Sequence, residues 1–387
     1  MRVKQNQSDR QIAYQRQGRS RRQWLASLAK NAGGGILARS VLARGILAGG
    51  ILAGGSLDLP RLAAADPDSP NELQRADPSF LQKIVIRDSE GSPRPVLAMD
   101  LDADRGLLCV AAADSRLRFF DAGTLQSMGN VAAHRDRIRC VRFSPDGRRL
   151  ASVGNDGMLL IWNVGETISI RQRMEGTPAL ACVDFDRSGE QLVAGGFGKQ
   201  LYVLGSPRSV RIQCERGDLR AIAHLDGRIL AGGRHGWLHA FENRRELLER
   251  KINPGSINAI IPLRGTPRTV SVCDGGAVVV YDFDTDQILH RIDLGVGRLF
   301  SVVAISSDRV AVAGSDDQIR IVDLSEEKTI ANLSGHSGSV SSLVTMDGTL
   351  ISAGYDATVR RWDLQSFLRD VDRVAIGGDE TTSPPRR

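Results

Sequence analysis

The sequence predicts an all-β fold made of one unit repeated seven times. From residue 81 onward, short apolar segments are cut by Asp, Gly and Ser at even spacing. Seven residue pairs, mostly an apolar residue followed by an acid, recur along the chain: Phe120-Asp121, Trp162-Asn163, Val203-Leu204, Phe241-Glu242, Tyr281-Asp282, Val322-Asp323 and Trp362-Asp363. Their second members lie 42, 41, 38, 40, 41 and 40 residues apart. A second landmark precedes many of these pairs, a run of small residues ending in a tight turn. Examples are Ala111-Ala112-Ala113-Asp114, Val153-Gly154-Asn155-Asp156, Ala313-Gly314-Ser315-Asp316 and Ala353-Gly354-Tyr355-Asp356. Two landmarks holding one period are the mark of a repeat architecture, in which each unit buries its apolar surface against its neighbours.

Composition is compatible with such a fold. Apolar residues make up 41% and charged residues 25% of the 387, which excludes collagen-like structure and bulk disorder. The net charge of +6 is unevenly spread. Residues 1–65 hold eleven basic side chains and two acids, Asp9 and Asp58, leaving 40 basic and 43 acidic residues over 66–387. Without its first segment the chain is mildly acidic. The charge therefore gives no reason to expect a nucleic-acid partner.

That first segment reads as an address. Residues 1–30 are polar and basic, and 33–57 form a low-complexity run of Gly, Ala, Leu and Ile with eight glycines. A spanning helix needs about 20 predominantly apolar residues. Arg39 and Arg44 interrupt the run, and the uncharged stretch 45–57 is too short, so no stable membrane insertion is expected. A basic start, a weakly apolar middle and Ala63-Ala64-Ala65 before Asp66 fit an export signal with an A-x-A cleavage site. Within it, Ser20-Arg21-Arg22-Gln23-Trp24-Leu25 resembles the twin-arginine (Tat) signal, with Trp24 where Phe is usual and Ala26 where Lys is common. An organelle transit peptide or a disordered tail are the competing readings. The expected organisation is an export signal over 1–65, a linker over 66–80, the repeat domain over 81–366 and a disordered tail over 367–387. The Tat-like signal implies a bacterial protein of the periplasm or cell exterior, or a cytoplasmic one if the signal does not function.

The repeats resemble the WD-repeat β-propellers, with about 40–45 residues and four strands per blade. The resemblance spans residues 81–366 and implies a seven-bladed β-propeller of four-stranded antiparallel blades. It also implies a structural tetrad in the best units: His134, Ser152, Asp156 and Trp162 in the second, and His336, Ser352, Asp356 and Trp362 in the seventh. Ser-to-Asp spacing is 4 and Asp-to-Trp spacing 6 in both. The third and fourth units lack this set. Leu81–Arg87 reads as a strand ahead of the first complete unit, while the seventh runs into the tail soon after Asp363. In the family's usual closure, the N-terminal strand completes the last blade and leaves no long exposed edge.

A Ser, a His and an Asp recurring together suggest a hydrolase, but a triad needs one exposed serine beside an oxyanion hole. Here the set repeats in two units and ends on a Trp, which points to a buried polar network. Of the six histidines only His235 and His239 are close in sequence, and no Cys-x-x-Cys or third His completes a zinc site. Metal and cofactor are therefore not expected. The five cysteines (Cys109, Cys140, Cys182, Cys214, Cys273) lack paired spacing and read as small core residues, with one disulfide left open. No G-x-x-x-x-G-K-[ST] loop and no G-x-S-x-G elbow occurs.

In propellers of this family, the loops holding the His and the tight-turn Asp share one face, often the binding face. Mapped onto this chain, those loops carry Arg94, Arg116, Arg135 and Arg137 in the first units. Lys199, Arg216, Arg220, Arg234 and Arg298 follow in later ones. Acids are interspersed. The expectation is a non-enzymatic protein-interaction scaffold, a monomeric ring whose rim grips an acidic partner segment through Arg forks. The alternative is an enzyme or small-ligand binder using the central channel, which convergent His and carboxylates on the innermost strands would favour. The segments Val96–Met99, Leu180–Val183 and Val340–Leu343 are mostly small and apolar, which favours the scaffold.

Overall fold

A computed structural model of the chain describes residues 80–205 and 209–369. The expected export signal with Arg21 and Arg22, the linker up to residue 79 and residues 370–387 lie outside the described residues. The described chain forms seven four-stranded antiparallel sheets. Blade 1 spans Val96–Ala132, blade 2 Ile138–Met174, blade 3 Leu180–Gln213 and blade 4 Leu219–Lys251. Blade 5 spans Ile257–Asp293 and blade 6 Leu299–Leu333. Blade 7 takes three strands from 340–363 and its outermost from Phe80–Val85, paired antiparallel to Thr358–Asp363. The protein is a seven-bladed propeller closed by its N-terminal strand.

The repeated apolar-plus-acid pairs end the third strand of each blade, except that in blade 2 the strand runs one residue further, to Val164. Second strands are buried beyond their first residue, as in Arg268–Cys273, and in Leu107–Ala112 throughout, because adjacent blades cover both faces. Outermost strands carry the charge, as in Ile168–Met174 and Arg245–Lys251. Seven apolar clusters fill the seven gaps between blades, one per gap. The gaps narrow in places to the width of a glycine: a Cβ on Gly232 would sit 2.7 Å from side-chain atoms of Ile257 and Ile260 on the next blade.

Each innermost strand has a register shift after its first residue, from Val96/Ala98 in blade 1 to Val340/Ser342 in blade 7. The extra residue bends the strand toward the ring axis and presses its start onto the end of the second strand. In blade 6 a Cβ on Gly314 would lie 1.9 Å from the Arg298 carbonyl, which explains the small residues of the second landmark.

Order runs past residue 366, the expected end of the ring. Residues 364–369 form a helical turn in which Leu364 is buried and Phe367 and Leu368 pack against the cluster between blades 6 and 7. Those three apolar side chains distinguish this turn from the polar tail beyond it. No helix among the described residues is long and apolar enough to cross a membrane.

Candidate functional site

Three constellations were built residue by residue: the tetrads, the rim around them and the wall of the channel. In blade 2, Trp162 Nε1–H donates to Ser152 Oγ at 3.0 Å, His134 Nε2 meets the same oxygen at 2.8 Å, and His134 Nδ1 lies 3.0 Å from Asp156 Oδ1. Blade 7 repeats the chain from Trp362 through Ser352 and His336 to Asp356 at 2.8, 2.7 and 2.9 Å. The pattern assigns the histidine proton to Nδ1, facing the carboxylate, and turns each serine hydroxyl toward Nε2. Both serines are fully buried beneath their Trp, so neither is a nucleophile. Asp156 also accepts from the backbone N–H of Arg135 and Met158, and Asp356 from those of Ser337 and Thr358. Each set thus staples the loop entering a blade to that blade's own tight turn. Burial opposes ionisation of Asp356, but the hydrogen bonds from His336, the Thr358 hydroxyl and the Ser337 backbone outweigh it and hold the carboxyl well below the usual carboxylate range.

Other blades use substitutes that sequence reading missed. In blade 5, Asn253 sits where His134 and His336 do, four residues before the innermost strand, and its Nδ2 donates to Ser271 Oγ at 2.7 Å. The Asn253 carbonyl oxygen is buried without a partner. In blade 1, Arg118 donates to the turn carboxylate of Asp114, and in blade 6 Arg320 pairs with Asp316 at 2.5 Å. The signal was present in the sequence: Asp-x-x-x-Arg recurs as Asp114/Arg118, Asp316/Arg320 and Asp356/Arg360.

Most rim cations are engaged within the ring. Arg94 binds Asp88, Arg220 lies 3.3 Å from Asp274, Arg234 2.9 Å from Asp218 and Arg298 3.8 Å from Asp274. Lys199 is 3.9 Å from Glu215, and Arg116 donates to Asn130. Arg216 pairs with Glu249 and stacks 3.6 Å above the Trp237 ring. Arg135 is the most exposed of these paired cations, 3.8 Å from Glu175 with its side chain 74% exposed, and beside it Arg137 is exposed. Two aromatic residues stand out on the same face. Phe197 (48% exposed) and Tyr355 (50%) are the first residues of the tight turns in blades 3 and 7, and Arg139 lies 5.8 Å over the Phe197 ring.

His239 was expected to be unremarkable. Its buried ring instead reaches Glu246 at 2.6 Å, and with Glu249 the three could bring ligand atoms within 4.8 Å of one another. Arg216 already holds Glu249. The five cysteines are unpaired, and all but the half-buried Cys140 are buried. Burial pushes the Cys214 thiol up to about 11, so it stays protonated.

The channel wall differs from the apolar surface expected. The innermost strands continue beyond the segments read as apolar, and the next residue is Asp100 in blade 1 and Asp184 in blade 3, with Arg142 at the same offset in blade 2. Arg142 lies 3.3 Å from Asp100 and 3.8 Å from Asp184, and His224 Nδ1 reaches Asp184 Oδ2 at 3.1 Å. The ring brings these side chains, 42 residues apart from blade to blade in sequence, together.

Comparison with known proteins fits this geometry. The WD40 repeat (WD domain, G-beta repeat) matches residues 125–163 and 327–363, the segments that hold the two complete Ser–Asp–Trp sets. The chain carries WD40 repeats. Each matched repeat begins near the outer strand of one blade and ends with the third strand of the next, so WD40 repeat and blade are offset by one strand. Among relatives, the chain is 26% identical to transducin beta-like protein 3 of Bos taurus over 314 residues, covering 72% of this chain and 38% of that protein. It is 22% identical over 248 residues to the ciliary WD repeat-containing protein ctxp80 of Euplotoides octocarinatus, 62% of this chain and 34% of the relative. A shorter match, 36% over 91 residues, joins it to the U3 small nucleolar RNA-associated protein 21 homolog of Schizosaccharomyces pombe, covering 23% and 10%. The chain spans no more than about two fifths of the length of these WD40-repeat relatives.

Proposed function

We propose that the protein is a non-enzymatic interaction scaffold, an exported bacterial WD40-repeat propeller whose tetrad face holds an acidic partner segment. The observation that carries this reading is the pairing of rigidity with exposed anchors on one face. Tetrads and register shifts hold the loops in place, so their side chains bind with little ordering cost. Arg135 and Arg137 offer guanidinium groups that are not locked into close ion pairs, while Phe197 and Tyr355 offer exposed aromatic surface. Arg and aromatic residues are the types that dominate binding hot spots.

Cross-linked co-purification from the cell envelope tests the reading. Arg135→Glu combined with Arg137→Glu should remove one specific protein from the captured set while leaving the melting temperature unchanged, and Phe197→Ala should weaken the same capture. An identical set from wild type and variants would count against this face. The address is tested separately: changing Arg21 and Arg22 both to Lys should leave unprocessed protein in the cytoplasm, whereas unaltered export would remove the Tat assignment.

A further inference from the structure

The channel opens on the face opposite the tetrads into a cavity of about 460 Å³. Its two sides differ in chemistry. Blades 1 to 3 contribute Asp100, Asp102, Asp104 and Asp184 with Arg142, while blades 4 and 5 contribute Ile222, Ala223, Ile260, Ile261 and Pro262, with Arg264 at the edge. The lining thus holds four carboxylates and two guanidinium groups, one of which, Arg142, lies among the carboxylates and the other, Arg264, at the opposite edge. Arg105 ties down Asp102 from outside the lining, but Asp100 and Asp184 share the single guanidinium of Arg142. On the other side of Asp184, His224 has its side chain 9% exposed, and its Nε2 is buried without a partner.

A concave site with an aliphatic wall and a few convergent polar groups is the general form of a small-molecule pocket. The excess of carboxylate decides the sign of the ligand. We propose that this cavity binds a small organic cation with an aliphatic body, its ammonium group held between Asp100 and Asp184 and its hydrocarbon against Ile222, Ile260 and Ile261. Burial lifts the Asp100 carboxyl above its ordinary range despite the pull of Arg142. Asp100 is held in place by the Phe143 backbone N–H, which donates to it at 2.6 Å, so the acceptor is already oriented before a ligand arrives. The upper half of the channel has the opposite character, with Arg139 and Arg220 at its mouth, so a cation reaches the carboxylates from the lower face. This site is independent of the scaffold reading and uses the other end of the ring.

The test uses the full chain and three probes of one shape: 3-methylbutylammonium, 3-methylbutanol and 4-methylpentanoate. Methyl resonances of Ile222, Ile260 and Ile261 report binding and its place. The ammonium should shift them saturably, the alcohol roughly tenfold more weakly, and the carboxylate not at all. Asp100→Asn and Asp184→Asn should each weaken ammonium binding roughly tenfold with the remaining methyl spectrum unchanged. Equal shifts from all three probes, tighter binding of the carboxylate, or no saturable response to the ammonium would each overturn the proposal. The comparison of probes on the wild-type protein decides the matter even if a variant does not fold.

Discussion

Deleting residues 80–85 should lower the melting temperature by at least about 10 °C and make the protein self-associate. Among the described residues, the segment makes the one strand-to-strand link between the two ends of the ring within a blade. Gln82, Lys83, Ile84 and Val85 pair with Arg361, Arg360, Val359 and Thr358 in turn. Phe80 lies edge-on to the tetrad residue Trp362, with ring centroids 5.7 Å apart, and Ile84 packs into the cluster between blades 7 and 1. The closure also reaches the first blade, since Gln82 Nε2 donates to the Thr124 carbonyl at 2.7 Å. Each backbone bond contributes about 1 kcal/mol net, and the half-buried Phe80 and Ile84 add roughly 1 kcal/mol apiece. The sum is a large part of the 5–15 kcal/mol typical of a folded domain, and a loss of several kcal/mol corresponds to the stated drop. The deletion also bares the edge of Thr358–Asp363, a template for pairing with another copy. Calorimetry and light scattering read both effects. A synthetic peptide of residues 79–87 should restore part of the melting temperature and dissolve the associates. An unchanged melting curve would mean that the other six blades hold the ring without this strand.

What the sequence revealed follows from how far apart the deciding residues lie. The blade period and the two tetrads depend on spacing within one unit, the closing strand followed from the resemblance to WD-repeat propellers, and all were legible. His134, Ser152, Asp156 and Trp162 sit within 29 residues, the last three at offsets repeated in the seventh unit. Charge pairing across units was not. Arg220 meets Asp274 of the next blade, and Arg216, in the loop entering blade 4, meets Glu249 on the outer strand of that blade, 33 residues on. A count of cations in the loops therefore overstates the free positive charge of that face. The channel was hidden for a different reason. Alternating burial in an ordinary sheet puts the polar face in water, but in this ring the first strand of every blade faces the axis. Asp100, Arg142 and Asp184, at one register position in three successive blades, consequently converge. The substitutes for the tetrad were visible only as a spacing without a partner: Asn253 four residues before its strand, and Arg118 four residues after Asp114.

Asp356→Ala should destabilise the ring by about 3 kcal/mol, since it orphans several buried donors at about 1–3 kcal/mol each. The carboxylate accepts from His336 Nδ1 at 2.9 Å, from the Ser337 and Thr358 backbone N–H groups, and from the Thr358 hydroxyl at 2.8 Å. Its loss leaves the loop 335–338 detached from the turn of its own blade. Ser352→Ala should cost a similar amount, because Trp362 Nε1–H and His336 both lose their common partner. The double variant should cost less than the two added together, as expected for members of one network. Denaturant titration of the four proteins measures the coupling. The acid limb gives a second reading. Asp356 has a folded pKa far below that of the unfolded chain, so its contribution is fully present above about pH 4 and fades as the pH falls further. Asp356→Asn should therefore start less stable at neutral pH and lose less on acidification than the wild type. Asn253→Ala should cost less than Asp356→Ala, because Gly275 stands in blade 5 where Asp356 does in blade 7, and the Asn253 side-chain oxygen is already unpartnered. Capture of the partner should persist in Asp356→Ala below its melting temperature, since the residue is buried under the rim that makes the contact. Loss of capture at unchanged stability would move the tetrad from the frame of the ring into its binding surface.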